Sequence, residues 1–135
     1  MRIYKFRGFH PDENGKTVIK LNGKEIKGTW FYGDLHTDGP YINEHKVIPE
    51  TVGQYTGLDD IRGKEIFEGD IFKTKEYGKE VQGKNYSGYD YFSVRYVYGS
   101  FVILNKTRVF YLLHRDKKEV IGSIYETPEL WEVEE

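Results

Sequence analysis

The complete absence of alanine constrains the fold of this chain more than any other feature of its sequence. Alanine is the best helix former, so few segments are expected to sustain a helix. The chain instead carries 12 tyrosines and 8 phenylalanines, which favour strands because large flat side chains pack well on a pleated surface. We therefore expect a mostly β fold, and 135 residues are enough for one domain with a sizeable core.

Turn signals divide the first part of the chain into short strands. Asn14-Gly15 and Asn22-Gly23 separate three runs of β-branched and aromatic residues, at Ile3 to Phe6, Thr17 to Leu21 and Glu25 to Leu35. Asn-Gly is typical of two-residue hairpin turns because both residues tolerate positive φ. We expect an antiparallel β meander over residues 1–53, either as a subdomain or as part of a single compact domain.

The remainder, residues 54–135, shows five further strand patterns joined by short turns. These lie at Ile71 to Lys75, Tyr91 to Tyr98, Phe101 to Leu104, Val109 to His114 and Glu119 to Tyr125. Gly99-Ser100 is expected to form a type II′ hairpin turn. Strands of this length and spacing predict a small barrel of the SH3-like kind, and Thr127-Pro128-Glu129 predicts one short helical turn near the C-terminus.

The segment from Gln54 to Ile71, QYTGLDDIRGKEIFEGDI, combines an acidic cluster with two glycines at turn positions. One interpretation is a site for a hard cation, which prefers carboxylate oxygens. Counted from Asp59, however, the third position of a calcium loop is occupied by Ile61. Turn chemistry is the favoured interpretation, because Asp side chains bond nearby backbone groups and Gly supplies unusual φ. The cation alternative has as its ligands Asp59, Asp60, Glu65, Glu68 and Asp70.

The usual signatures of catalysis are missing from the sequence. It has no cysteine, no Gly-x-Ser-x-Gly, no Walker loop and no Gly-x-Gly-x-x-Gly. Its four histidines show neither HExxH nor His-x-His spacing; they are His10, His36, His45 and His114. A Ser, His and Asp assembly stays open, because its members meet only in space. We predict no catalytic residue, cofactor or metal ligand, and a noncatalytic protein is favoured over an enzyme.

Tyrosines alternate with cations between residues 77 and 98, and this segment is the best candidate for a binding surface. Aromatic rings beside cations can stack bases and hold phosphates, as in small barrels that bind single strands. The net charge of −2 weakens this nucleic-acid interpretation. Strand alternation also places four aromatic or apolar side chains in core or edge packing: Phe92, Val94, Tyr96 and Tyr98. The candidate contacts are Tyr77, Lys79, Lys84, Tyr86 and Tyr89.

A protein interface is the other candidate for a binding surface. Trp30, Phe31 and Tyr32 are consecutive, so at least one of these rings must face away from a one-sided core. Exposed Trp and Tyr are typical of interfaces. We predict that Trp30 and Tyr32 contact a second copy of the chain, or a host or phage protein. The alternative is that the N-terminal subdomain covers them.

Several separated motifs together resemble one family. QYTGLDDIRGKEIFEGDI is preceded by GTWFYGDL and VIPETVGQ and is followed by EVIGSIYETPELWE, at Glu119 to Glu132. In this order they closely resemble the YopX family of phage and prophage proteins. The resemblance implies a β-rich protein with an SH3-like barrel in its C-terminal part, encoded by a bacteriophage or an integrated prophage. It implies no activity and no catalytic residues.

These observations combine into one functional expectation. The N-terminus lacks the apolar segment of a signal peptide, and no apolar run approaches the thickness of a bilayer. We expect a phage or prophage accessory protein in the bacterial cytoplasm that does not contact the membrane. It would be a noncatalytic binding or regulatory module that self-associates, and nucleic-acid binding is the alternative.

Overall fold

The computed structural model describes residues 5–36, 38–74, 80–81, 84–85, 89–106, 108–112 and 117–131. The fold is mostly β, as predicted, with curled antiparallel sheets, one 3-10 turn at Pro49–Thr51 and one short helix, α1, at Pro128–Trp131. The strands are β1 Phe6–Pro11, β2 Thr17–Leu21, β3 Lys24–Gly33, β4 Leu35–His36, β5 Tyr41–Ile42, β6 His45–Lys46, β7 Gly53–Asp59, β8 Glu65–Phe67, β9 Asp70–Thr74, β10 Glu80–Val81, β11 Lys84–Asn85, β12 Asp90–Val97, β13 Ser100–Leu104, β14 Val109–Tyr111 and β15 Glu119–Ser123.

The first sheet has the strand order β2-β3-β1-β7-β8. Asn22-Gly23 forms the predicted hairpin turn, with φ of 53° and 81° at its two residues. The expectation of a hairpin at Asn14-Gly15 is wrong, because β1 pairs with β3 and not with β2. Asp12 accounts for the difference. Its side chain and carbonyl accept the amides of Asn14 and Gly15, so the turn leads the chain away from β1.

A small three-stranded sheet, β4-β5-β6, packs against the first sheet, where β5 contacts β1 and β3. Ile42 and Val47 are buried there, and the amide of Ile48 donates to the carbonyl of Phe9 at 2.8 Å. Thr51 in the 3-10 turn accepts the amide of Phe9 through its hydroxyl at 2.9 Å. The segment from Ile48 to Thr51 therefore lies alongside β1 at Phe9.

The second sheet has the order β14-β13-β12-β9-β15, in which β15 at the end of the chain pairs with β9, the first strand of this sheet along the sequence. This order is consistent with the predicted SH3-like barrel. Its core contains the buried side chains Ile66, Phe72, Phe92, Val94 and Ile103. The segment between β9 and β12 includes the paired strands β10 and β11.

The turn between β12 and β13 differs from the prediction. Val97 pairs with Ser100, so the two turn residues are Tyr98 and Gly99, with φ of 49° and 83°. Positive φ at both positions defines a type I′ turn and not the expected type II′. Tyr98 is therefore fully exposed and does not join the core, whereas Phe92 and Val94 are buried as predicted.

The N-terminal part of the chain contacts the segment after β15 through backbone and side chains. The amide of Lys20 in β2 donates to the carbonyl of Tyr125 at 2.7 Å, and the Tyr125 hydroxyl donates to the carbonyl of Glu50 at 3.0 Å. β7 and β8 belong to the first sheet although they follow residue 53. The division of the chain at residue 53 stays a prediction. Among the described residues, no helix is long and apolar enough to cross a membrane.

Candidate functional site

Asp60 organises the turn between β7 and β8. One of its carboxylate oxygens accepts the amides of Arg62 and Lys64, and the other accepts the amide of Val120 in β15, all at 2.9 Å. Burial alone would raise the pKa of Asp60, but these three backbone hydrogen bonds hold it below its ordinary value. The turn interpretation of this acidic motif is confirmed, and Asp60 also connects the turn to the second sheet.

Asp70 forms the second turn of the motif and a buried ion pair. Its carboxylate accepts the amide of Phe67 at 2.8 Å and lies 2.9 Å from the guanidinium of Arg7 in β1. Both charged side chains are buried. Burial raises the pKa of Asp70, while the guanidinium of Arg7 acts in the opposite direction.

The Arg7 guanidinium is held between two aromatic rings. Its central carbon lies 4.8 Å from the ring centre of Trp30 and 5.2 Å from that of Phe67, which are distances of cation–π contacts. Because Arg7 belongs to the first sheet and Asp70 to the second, this ion pair joins the two sheets. The arrangement does not present a free reactive group, and its chemistry is structural.

The edge strand β14 presents apolar side chains that sequence reasoning missed. Val109 and Tyr111 are 66% and 69% exposed, whereas Phe110 between them packs against the core cluster. The three-residue alternation of Val109, Phe110 and Tyr111 is the signal that could have identified this edge. From the sequence, Val109 to His114 is predicted only as one of five strands.

The backbone of β14 is also open on its outer side. The carbonyl of Arg108 accepts the amide of Asn105, and the amide of Leu112 donates to the carbonyl of Phe101, so alternate residues face β13. The N–H and C=O groups of Val109 and Tyr111 therefore point away from the sheet. Neither residue has a further backbone partner within the described part of the chain.

The opposite edge of the same sheet is covered. The amide of Val120 in β15 is bonded to Asp60, and the carbonyl of Lys118 accepts the amide of Ile61 at 2.9 Å. The outer edge of β2 in the first sheet is likewise bonded, through Lys20, to Tyr125. Since natural sheets usually block their edges, the open apolar edge of β14 is the best candidate for a binding surface.

The family model described as YopX protein matches residues 5–132. The chain belongs to the YopX family. A solved structure, the crystal structure of protein EF1440 from Enterococcus faecalis, is similar at 26% identity and a TM-score of 0.48, over 97% of this chain and 99% of that one. No curated protein matches the chain.

In this YopX family member, two of the segments that carry the resemblance contact each other. Asp60 in the first segment bonds the amide of Val120 in the second, and the carbonyl of Gly69 accepts the amide of Ile124 at 2.9 Å. The amide of Gly69 also donates to the carbonyl of Val94 at 2.8 Å. These motifs therefore hold the fold together.

The predicted tyrosine-bearing contacts are placed only in part. Tyr77, Lys79 and Tyr86 lie outside the described residues, and Lys84 belongs to β11. Tyr89 is 40% exposed, and the ammonium of Lys73 lies 4.5 Å from the centre of its ring. Nucleic-acid binding by this segment stays a prediction.

Trp30 and Tyr32 lie on the face of β3 that meets the second half of the chain. Trp30 is half-buried against Phe9, at a centroid distance of 5.2 Å, and against Tyr125, at 5.7 Å. Tyr32 is exposed, and its ring lies 5.4 Å from that of Phe67. Trp30 therefore packs partly within the fold, and interface roles for Trp30 and Tyr32 stay predictions.

Proposed function

We propose that this YopX family protein is a noncatalytic binding module that pairs with a second copy of itself through β14. It would act as an accessory protein of a phage or prophage in the bacterial cytoplasm. The observation that carries the proposal is the contrast between the two edges of the second sheet. The edge at β15 is bonded to the Asp60 turn, whereas the edge at β14 exposes both backbone groups and apolar side chains.

The geometry of β14 is suited to pairing with itself. In an antiparallel arrangement centred on Phe110, Val109 of one copy lies opposite Tyr111 of the other. The outward groups of these residues then form four backbone hydrogen bonds, because each such pair exchanges two. The exposed side chains of Val109 and Tyr111 also come together on one face of the joined sheet.

The free energy of this pairing is expected to be small, because few groups take part in the contact. Four backbone hydrogen bonds contribute about 4 kcal/mol in total. Burying two apolar side chains from each copy adds about 6 kcal/mol. Against this stands the association cost, which at its low end is about 5 kcal/mol. The balance of about 5 kcal/mol corresponds to a dissociation constant of roughly a few hundred micromolar.

Sedimentation equilibrium between about 10 μM and 1 mM, bracketing this constant, tests the proposal. The wild-type protein should shift from monomer to dimer across this range. Val109→Lys and Tyr111→Lys should stay monomeric, because charged side chains at an edge oppose pairing. Ile61→Lys is the matched control, since Ile61 is 62% exposed but lies in the Asp60 turn. A wild-type monomer at all concentrations, or equal dimerisation of the β14 variants, would refute the proposal.

Nucleic-acid binding is a second candidate, favoured by the pairing of Tyr89 with Lys73. An exposed ring beside an ammonium group is the combination that stacks a base and holds its phosphate. Electrophoretic shift with short single-stranded and duplex DNA at low salt tests it. Tyr89→Ala should weaken a shift that Tyr41→Ala leaves unchanged, since Tyr41 is comparably exposed at 38%. No shift at high micromolar protein would exclude this candidate.

The cellular role requires a separate experiment. Affinity capture of the tagged protein from induced or infected cells should enrich a discrete protein partner if it is a binding module. A nuclease-sensitive set of proteins would instead favour the nucleic-acid candidate. Capture of no partner other than the chain itself would limit the module to self-association.

A further inference from the structure

The fold brings together two histidines that are far apart in sequence. The rings of His10, in β1, and His45, in β6, have their centres 5.8 Å apart with an interplanar angle of 63°. His10 is half-buried and His45 is exposed, so solutes can reach the pair. Their separation of 35 positions matches no metal-binding spacing, and sequence reasoning therefore treated both as isolated residues.

His10 is held in one tautomer. Its Nδ1 lies 2.7 Å from the backbone carbonyl of Lys46. Because a carbonyl oxygen only accepts, Nδ1 carries a proton, and in the neutral ring the lone pair is then on Nε2. A histidine that binds a metal characteristically donates its other N–H to a carbonyl or carboxylate in this way. The fold thus prepares the Nε2 of His10 as a ligand.

His45 is oriented by an aromatic neighbour. Its ring stacks on Phe31 with a centroid distance of 3.7 Å and an interplanar angle of 8°. No hydrogen bond involves its ring nitrogens in the part of the chain that the structure describes. The stacking fixes the plane of the imidazole, while its nitrogens stay available to a ligand.

We propose that His10 and His45 together bind a divalent transition metal ion of the borderline class, such as Zn²⁺ or Ni²⁺. Two imidazoles bound to one metal at about 2.1 Å place their ring centres roughly 5 to 6 Å apart. The observed 5.8 Å falls in this interval. Imidazole is a preferred ligand of Zn²⁺, Cu²⁺ and Ni²⁺, whereas Mg²⁺ and Ca²⁺ prefer oxygen.

The site supplies two protein ligands. No cluster of three or more His, Asp or Glu side chains lies near enough to share a metal among the described residues. Water or a group from another molecule completes the coordination, so binding is weaker than at a closed structural site. The charge of Lys46 opposes a cation, but its exposed side chain points to the opposite face of β6 from His45.

Calorimetric titration of the untagged protein with ZnCl₂ and with NiCl₂ tests the proposal. The wild type should bind one ion per chain in the micromolar range. His45→Phe keeps a ring against Phe31 but removes the ligand. His10→Asn keeps a donor for the carbonyl of Lys46 but removes Nε2. Each variant should bind at least about tenfold more weakly.

The matched control is His36→Asn, because His36 is an exposed histidine in β4, outside the pair. Its affinity should equal that of the wild type. Circular dichroism of each variant verifies that the fold is retained. Undetectable binding by the wild type at a few hundred micromolar ion, or equal affinity in His45→Phe and His10→Asn, would overturn the proposal. A loss of binding in His36→Asn would equally overturn the assignment to this pair.

Discussion

Replacing Asp60 by Asn is the sharpest test of how this fold is held together. The carboxylate of Asp60 accepts three backbone amides, from Arg62 and Lys64 in its own turn and from Val120 in β15. An asparagine has the same shape but only one acceptor oxygen. If that oxygen keeps the hydrogen bonds from Arg62 and Lys64, the side-chain NH₂ group of the asparagine faces the N–H of Val120. Two donors then face each other without an acceptor.

The magnitude follows from these three contacts. A hydrogen bond to a charged group contributes about 1.5 to 3 kcal/mol, and a buried donor left without a partner costs about 1 to 3 kcal/mol. Asp60→Asn loses the bond to Val120 and weakens the two bonds that remain. We expect the free energy of unfolding to fall by about 3 kcal/mol. That is a large share of the stability of a domain of this size.

Urea denaturation followed by tryptophan fluorescence measures the change. Asp59→Asn is the matched control, because Asp59 is the neighbouring carboxylate, is exposed and accepts one bond, from the Tyr55 hydroxyl at 2.6 Å. The control should cost less than about 1 kcal/mol. If the two variants differ by less than about 0.5 kcal/mol, Asp60 does not join the turn to β15 as argued.

The pH dependence gives an independent check on Asp60. Burial is the largest influence on its pKa, but the bonds from Val120, Lys64 and Arg62 together lower that pKa below the ordinary value of 3.8. A lowered folded pKa gives stability that is present above the unfolded pKa and is lost as pH falls through the folded one. The stability difference between wild type and Asp60→Asn should therefore be full at pH 7 and shrink in acid below about pH 4.

Three further predictions concern the contacts between the sheets. Arg7→Met should lower the free energy of unfolding by about 3 kcal/mol at pH 7, because it leaves the buried carboxylate of Asp70 unpaired. Adding Asp70→Asn should recover most of this loss. A double-mutant cycle in urea measures the coupling, and additive costs of the two substitutions would contradict the prediction. Burial raises the pKa of Asp70 in the folded protein. The stability that Asp70 contributes relative to Asp70→Asn should therefore be present below the unfolded pKa and be lost as pH rises through the folded pKa, opposite to Asp60. An unchanged stability difference between pH 3 and 7 would count against this. Gly69→Ala should destabilise more than Gly63→Ala in thermal unfolding, because both have positive φ but only a methyl group at Gly69 would lie 3.0 Å from the ring of Tyr125; equal melting temperatures would disprove it.

Local sequence signals predicted the elements whose causes are local. The absence of alanine and the many aromatic residues predicted a mostly β fold, and Asn22-Gly23 predicted a hairpin turn that its positive φ values confirm. Thr127 and Pro128 predicted the short helix. The Asp60 turn was also predictable, because its bonds to Arg62 and Lys64 span only two and four residues. In each case, neighbouring residues supply the stabilising interaction.

The prediction of strand pairing was wrong where two local turn signals compete. Asn14-Gly15 has the composition of a hairpin turn, yet the Asx turn at Asp12 leads the chain across to pair β2 with the far edge of β3. The turn at Tyr98 and Gly99 was displaced by one residue because the register of β12 against β13 decides which pair reverses the chain.

The sequence by itself determined the fold class, the family and the chemistry of the turns, because these depend on residue types and short spacings. Only the tertiary structure decided which distant groups meet. The ion pair of Arg7 with Asp70, the bond from Val120 to Asp60 and the approach of His10 to His45 join residues 35 to 63 positions apart. The open edge of β14 likewise follows from strand order, since an edge exists only once the other strands have paired.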